Sequence, residues 1–205
     1  LLGDGDQAVK RELLQLARVE TATAGDTRHT VGTEIAQAFR LACRQSLHRA
    51  KNEGSAVPVI TLDAREMPSE PAAWETVQLP LAPALLTCAI TNLVDNALRY
   101  HRGPTSVSAT LQWHAGPAGD GQVEICVRDQ GPGLTADECG HALKRFWRKS
   151  GSDPGSGLGL TIVHRIAESA GGTLVLEPGT PGLVARLRLS TCAADAAPAH
   201  GIAPG

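Results

Sequence analysis

Apolar residues recur at two spacings that alternate along the chain. Offsets of three and four predict five helices, over residues 10–24, 33–52, 81–100, 135–148 and about 160–170. Strand-like runs separate them: "VPVITLDAR", "SVSATLQWH", "QVEICVRD", "TLVLEP" and "GLVARLRL". Short Gly- and Pro-containing segments join the last four strands in pairs, as in hairpins. This order predicts a two-layer α/β (α+β) sandwich, with a mixed, mostly antiparallel sheet covered on one face by helices.

The helix over residues 81–100 carries a polar row in its middle. Offsets of three, four and seven residues put four polar side chains on one face, Asn92, Asp95, Asn96 and Arg99. An apolar stripe lies beside them, formed by Leu86, Ile90, Leu93 and Ala97. Asn and Asp are poor residues for a helix interior, so the row indicates a liganded or wet face. A solvated face with an Asp95–Arg99 pair is the alternative.

The strand "QVEICVRD" ends on a carboxylate in the apolar register. Val123, Ile125 and Val127 alternate with polar residues, and Asp129 takes the next position on the same side. We therefore expect a buried carboxylate, which needs a partner.

Two glycine-rich segments complete the candidate chemistry. "DQGPG", residues 129–133, follows that strand directly, and its glycines permit close approaches. "GSGLGL", residues 155–160, opens a helix, where backbone N–H groups and the helix dipole favour an anion. Each segment alone is as well explained by a turn. A Rossmann dinucleotide site fits poorly, because "GSGLGL" does not follow a strand.

The composition, the net charge and the cysteine spacing argue against some classes of function. The 205 residues are 42% hydrophobic but only 3% aromatic, so the core must consist mainly of aliphatic side chains. A net charge of -2 gives no reason to expect nucleic-acid binding. Five widely spaced cysteines without a C-x-x-C pair indicate reduced thiols. No run has the length of a membrane span, so we expect a cytoplasmic location without membrane contact by this segment.

The motifs together resemble those of a known family. "NLVDN", "DQGPG", "RFWR" and "GSGLGL" are similar to the N, G1, F and G2 boxes of the ATP-binding catalytic domain of sensor histidine kinases. Those domains have the Bergerat ATP-binding (GHKL) fold. The resemblance implies an ATP-binding domain over residues 33–190. It also implies a helical remnant of the dimerisation and phosphotransfer domain plus linker over residues 1–25, and a flexible tail over residues 191–205.

Matching the boxes implies roles for individual residues. Asn96 would coordinate Mg²⁺ through its amide oxygen, with Asn92 beside it. Asp129 would accept a hydrogen bond from the adenine amino group. Tyr100 would place its ring near adenine, and Arg99 would lie near the phosphates.

The remaining boxes imply contacts made by backbone and lid. Gly131 and Gly133 would let the chain lie against base and ribose. The phosphates would be approached by the start of the last helix, at Gly155, Gly157, Leu158 and Gly159. Phe146 would hinge or anchor the lid. The basic cluster Lys144, Arg145, Arg148 and Lys149 would either contact phosphate or be solvated.

The first N-box position bears on the chemistry. Water-splitting members of the fold resemble one another in having Glu there, whereas the neutral amide of Asn92 cannot act as a general base. We therefore predict a kinase that presents the γ-phosphate to a histidine. None of the seven histidines here has the flanking residues of the family's phosphoacceptor, so we expect that residue upstream. The parent kinase would be anchored in the inner membrane and pass the phosphoryl group to a response regulator.

Two alternatives to the kinase prediction stay open from the sequence. One is a GHKL-type ATPase or serine-protein kinase outside two-component signalling. The other is a degenerate binding module without catalytic activity.

Overall fold

The computed structural model describes residues 14, 17, 29–52, 60–63, 77–102, 106–116, 121–149 and 156–192. Its helices and strands are, in chain order, β1 (Thr30–Val31), α1 (Gly32–Asn52), β2 (Ile60–Asp63), β3 (Gln78–Leu79), α2 (Pro83–Tyr100), β4 (Val107–Ala115), β5 (Gly121–Arg128), α3 (Ala136–His141), α4 (Gly159–Ser169), β6 (Thr173–Pro178) and β7 (Leu183–Ser190). Of the predicted helix over residues 10–24, only Leu14 and Ala17 are described, and both are helical and exposed. The predicted tail lies outside the described residues apart from its first two positions.

Five strands form the main sheet in the order β2-β4-β5-β7-β6. β2 and β4 are parallel, and the other three neighbouring pairs are antiparallel. The prediction of a mixed, mostly antiparallel sheet is therefore confirmed, as are both hairpins. A second sheet pairs β1 with β3 and was not predicted. Each of those strands has two residues, too few for alternation to be visible in the sequence.

The core lies between one face of the main sheet and the helices. The stripe predicted on α2 is confirmed, since Leu86, Ile90, Leu93 and Ala97 are all buried. α2 packs between α1 and α4. The sheet contributes alternate residues of its strands to this core, among them Val107, Ala109, Leu111, Val123, Ile125, Val127, Leu187 and Leu189. The polar row of α2 is thereby turned towards the rim of the helical layer.

The helix predicted over residues 135–148 is wrong in length. α3 begins with a capping box between Thr135 and Glu138 but ends at His141. The chain then turns, and Phe146 has a φ of 61°, outside the right-handed helical region. The Phe146 N–H donates to the carbonyl of Gly157 at 3.1 Å. This long-range bond, which the local sequence does not reveal, draws the chain back towards the start of α4.

Candidate functional site

A cleft opens where α2, the turn after β5, the segment after α3 and the start of α4 meet. Its cavity volume is about 190 Å³. The lining residues are Asn92, Asp95, Asn96, Arg99, Tyr100, Arg102, Asp129, Pro132, Gly133, Leu134, Ala142, Trp147, Arg148, Lys149, Gly157, Gly159, Leu160 and Leu183. The structure thus brings residues of all four sequence motifs to one cleft.

The polar row of α2 forms one wall of the cleft. All four of its side chains line the cavity. The Asn92 amide nitrogen donates to the carbonyl of Cys88 at 2.9 Å, which turns the amide oxygen away from its own helix. A Cβ placed on Gly159 would lie 3.3 Å from that oxygen, so the amide oxygen faces the start of α4. The expected Asp95–Arg99 pair is wrong, because Asp95 pairs with Arg49 of α1 at 2.7 Å.

Asp129 lies at the inner end of the cleft and is only 3% exposed, as its position in the strand register predicted. Its Oδ1 accepts hydrogen bonds from the N–H groups of Gly131 (2.7 Å) and Leu183 (3.4 Å). Both described bonds go to Oδ1, which leaves Oδ2 for the cleft. Burial raises the pKa of this carboxyl, and the two N–H donors only partly offset the effect.

The glycines of the turn after β5 are required by close packing. A Cβ on Gly131 would lie 2.3 Å from the carbonyl oxygen of Tyr100, so the turn sits directly on the end of α2. Gly131 itself is not among the lining residues. Gly133 does line the cleft, has a φ of 64°, and lies against the backbone of Gly182.

The start of α4 forms the opposite wall. Gly157, Gly159 and Leu160 line the cleft there, so the unpaired N–H groups of the first turn lie at its edge. Leu158 is fully buried and belongs to the core instead. Gly155 lies outside the described residues.

Basic side chains also line the cleft. Arg99, Arg102, Arg148 and Lys149 all line it. The Nε of Arg148 is buried without a hydrogen-bond partner in the described part of the chain. Lys149 donates to the carboxylate of Glu138 at 2.9 Å and to the carbonyl of Gly133 at 3.3 Å. Lys144 and Arg145 are exposed and do not line the cavity.

Two aromatic side chains line the cleft, the predicted Tyr100 and, in addition, Trp147. Phe146, which was predicted to hinge or anchor the lid, is 58% exposed, has a left-handed φ and does not line the cleft. Sequence analysis also missed Arg102, Leu134 and Leu183, which carry no motif signal and reach the cleft only through the fold.

The described residues set limits on other kinds of site. They contain no group of three His, Cys, Asp or Glu side chains able to hold a metal by itself. No helix among them combines the length and apolar character that crossing a bilayer requires.

A known protein family matches the part of the chain that forms the cleft. Residues 82–191 match the family described as histidine kinase-, DNA gyrase B-, and HSP90-like ATPase. The match covers more than half of the chain and includes α2, the turn after β5 and the start of α4. The chain therefore belongs to this family, and the resemblance stated from its motifs is confirmed. A domain of this ATPase family implies that ATP is the ligand.

The similar curated proteins are sensor kinases. The signal transduction histidine-protein kinase AfsQ2 of Streptomyces coelicolor is 36% identical over 124 residues, which are 59% of this chain and 21% of that protein. The sensor protein QseC of Salmonella typhi is 43% identical over 93 residues, 45% of this chain and 19% of that protein. The chain thus spans about a fifth of the length of these relatives.

Solved structures support the fold. A mycobacterial sensor histidine kinase, MprB, aligns with a TM-score of 0.56 and 24% identity, over 82% of this chain and 99% of that one. Full-length ShkA in complex with AMPPNP aligns with a TM-score of 0.63 and 23% identity, over 91% of this chain and 36% of that one. At these identities the likeness shows the fold alone, and it confirms the predicted architecture.

Proposed function

We propose that the cleft binds Mg-ATP as the catalytic domain of a sensor histidine kinase. In this proposal the γ-phosphate passes to a histidine on the dimerisation and phosphotransfer domain of the parent kinase, and then to an aspartate of a response regulator. Kinase relatives and the geometry of the cleft support this assignment. The observation that carries it is the absence of a suitably placed general base among the described lining residues.

That absence follows from the positions of two carboxylates. Asp95 and Asp129 are the only carboxylates that line the described cleft. Asp95 is held by Arg49, and Asp129 is buried at the far end among backbone N–H donors. Asn92 is neutral and cannot take a proton from water. A cleft whose described lining offers anion-binding groups but no base for water is suited to hold a nucleotide for an outside nucleophile.

The base end of the cleft suits adenine. Asp129 lines the cavity, and its Oδ2, which takes part in neither described hydrogen bond, can accept the amino hydrogen of the base. The side chains of Leu183 and Leu134 provide an apolar surface beside it. We assign Tyr100 and Trp147, which line the cleft as well, to contacts with the bound nucleoside.

The phosphate end combines two kinds of anion-binding group. The first turn of α4 offers N–H groups, and Arg99 and Arg148 offer guanidinium groups. The buried Nε of Arg148 has no partner in the described structure, and a phosphate oxygen would supply one. Phosphoryl transfer depends largely on positioning and charge neutralisation, both of which these groups can provide.

Mg²⁺ fits the amide oxygens of the α2 wall. The ion prefers oxygen ligands and commonly shares them with substrate phosphates and water. Asn96, and Asn92 beside it, would provide the oxygen donors of the protein. When bound, the ion would neutralise charge on the phosphates. The described residues offer no metal cluster independent of the nucleotide, so we expect Mg²⁺ to bind together with ATP.

Calorimetric titration with Mg²⁺ and a non-hydrolysable ATP analogue tests the proposal. We expect the native chain to bind and Asp129→Asn to bind about 10- to 100-fold more weakly, since a hydrogen bond to a charged group is lost. Glu177→Gln, an exposed change on the far face of the sheet, is the control and should bind normally. Absent binding by the native chain, or equal binding by the Asp129 variant, contradicts the assignment.

Phosphate release in the same samples separates kinase from ATPase. With ordinary Mg-ATP we expect less than one turnover of free phosphate per chain over the time needed for binding equilibrium. Sustained release by the native chain would favour the ATPase alternative.

A further inference from the structure

The end of α2 and the turn after β5 meet in a closely packed junction. Gly131 sits against the carbonyl of Tyr100 with no room for a Cβ. His101, the residue after α2, caps the helix by donating its N–H to the carbonyl of Ala97 at 2.9 Å. Its side chain is only 8% exposed, although Arg102 beside it is exposed. A polar ring has therefore been buried directly behind the cleft.

Three consecutive N–H groups of the turn have three different acceptors. The Asp129 N–H donates to the carbonyl of Leu183 at 3.1 Å. The Gln130 N–H donates to Nδ1 of His101 at 3.4 Å, and the Gly131 N–H donates to Oδ1 of Asp129 at 2.7 Å. The first acceptor belongs to the sheet and the third to the turn itself. Of the three acceptors, only His101 ties the turn to α2.

The hydrogen bond fixes the state of the imidazole. An Nδ1 that accepts an N–H carries no proton, so the neutral ring has its proton on Nε2. Nε2 is buried and has no hydrogen-bond partner among the described residues. A buried donor without a partner costs free energy, and a leucine or phenylalanine would fill the space without that cost. The acceptor at Nδ1 is the feature that an apolar side chain could not provide.

We propose that His101 is a positioning residue for Asp129. Its Nδ1 holds the Gln130 N–H, and so fixes the peptide that follows Asp129 in the orientation where Oδ1 is bound by Gly131 and Oδ2 faces the cleft. The inference rests on the proposed nucleotide site, because the function of the positioned carboxylate is to bind the base. His101 is not among the residues that line the cleft.

A matched pair of variants tests the acceptor. His101→Asn places an amide oxygen where Nδ1 lies, and His101→Leu has nearly the same shape without an acceptor. Two probes distinguish the ends of the cleft: an ATP analogue with Mg²⁺, which uses Asp129, and inorganic tripolyphosphate with Mg²⁺, which uses only the phosphate end. The quantity compared is the ratio of the two affinities in each protein.

We expect the ratio to fall about 3- to 10-fold in His101→Leu, as for the loss of one hydrogen bond, and to stay within about 2-fold of native in His101→Asn. Equal ratios in all three proteins, or an equal fall in both variants, would overturn the proposal. His101→Gln serves if the Leu variant fails to fold, because its amide reaches the Nε2 position and not Nδ1. It should behave as His101→Leu, and a native ratio in it would also overturn the proposal.

The two proposals fail in different ways. If the native chain does not bind the ATP analogue, the nucleotide site is wrong, and the positioning role is withdrawn with it. If the native chain binds and the Leu and Asn variants do not differ, the site stands and only the role of His101 is wrong.

Discussion

Strand β5 carries one buried carboxylate within it and a second just after its end. Glu124 is 6% exposed and Asp129 is 3% exposed, yet their surroundings differ. Glu124 points to the face of the sheet away from the helices, where Arg186 and Arg188 of β7 donate to its two oxygens at 2.9 and 2.7 Å. Asp129 points to the helical side. Its described hydrogen bonds come from two backbone N–H groups, and both go to Oδ1.

The pKa values of the two carboxyls move in opposite directions. Burial opposes ionisation of Glu124, but the hydrogen bonds and charges of Arg188 and Arg186 together outweigh it and lower its pKa. For Asp129 burial prevails and the pKa is raised. The protein thus completes the surroundings of one carboxylate and leaves the other incomplete. We infer that the first holds the sheet together and that the second is reserved for a ligand.

The largest effect should come from the turn that holds Asp129. Gly131→Ala would place a Cβ 2.3 Å from a backbone oxygen, and neither atom can move easily. We expect a loss of stability near the upper end of the roughly 1–3 kcal/mol typical of overpacking. Urea unfolding measures it. Gly140→Ala in α3 is the matched control, since its Cβ meets nothing within 4 Å, and it should be neutral or stabilising. If Gly131→Ala leaves the free energy of unfolding unchanged, the backbone where α2 meets the turn after β5 can move to accommodate a Cβ.

Removing the charge of Glu124, on the face of the sheet away from the helices, should lower the free energy of unfolding without changing the affinity for the nucleotide. In Glu124→Gln one arginine loses its acceptor and meets an amide donor instead. Arg186 and Arg188 are partly exposed and can turn to water, so we expect a loss of only about 1–2 kcal/mol. Urea unfolding and titration with the ATP analogue check both statements. Weaker nucleotide binding by this variant would contradict the assignment of Glu124 to stability and of Asp129 to ligand binding.

The smallest effect is a difference in pH dependence. The lowered pKa of Glu124 means that its stabilising contribution is present above its unfolded pKa and lost as pH falls through the folded value. The raised pKa of Asp129 means that its contribution is present below its unfolded pKa and lost as pH rises through the folded value. Unfolding of native protein, Glu124→Gln and Asp129→Asn should be compared from pH 3 to 7.

The two variants should therefore diverge across that range. As pH rises, the stability advantage of the native protein should grow relative to Glu124→Gln and shrink relative to Asp129→Asn. If the stability advantage of the native protein changes with pH in the same direction for both variants, the two carboxylates do not differ as described.

Much of the fold follows from local pattern. The α2 stripe and the β5 register were predictable because burial repeats every 3.6 residues in a helix and every two in a strand. The alternation of buried residues along β5 also predicted that Asp129 is buried, without reference to its hydrogen-bond partners. α3 was overextended because residues 142–148 keep helical composition. The bond from Phe146 to Gly157 and the left-handed φ override that preference, and neither has a local signature.

Parts of the site depended on distant contacts. The alternative drawn from the sequence paired Asp95 with Arg99 of its own helix, but Arg49 of α1, 46 residues away in sequence, forms the pair instead. Trp147 lines the cleft and Phe146 beside it does not, a difference that the sequence of the box does not reveal. The lining residues Arg102, Leu134 and Leu183 have no spacing that a sequence pattern could detect.

Local sequence patterns are sufficient to predict most of the helices and strands, their apolar faces and the polar residues that are out of place in them. These properties depend on side-chain period and on the cost of burying polar groups, both of which act over a few residues. Which groups meet depends on the tertiary structure. It brings Arg186 and Arg188 to Glu124 and His101 behind the turn after β5, and among the described residues no arginine or lysine pairs with Asp129. Partners in a sheet and across packed helices are set by chain topology over tens of residues.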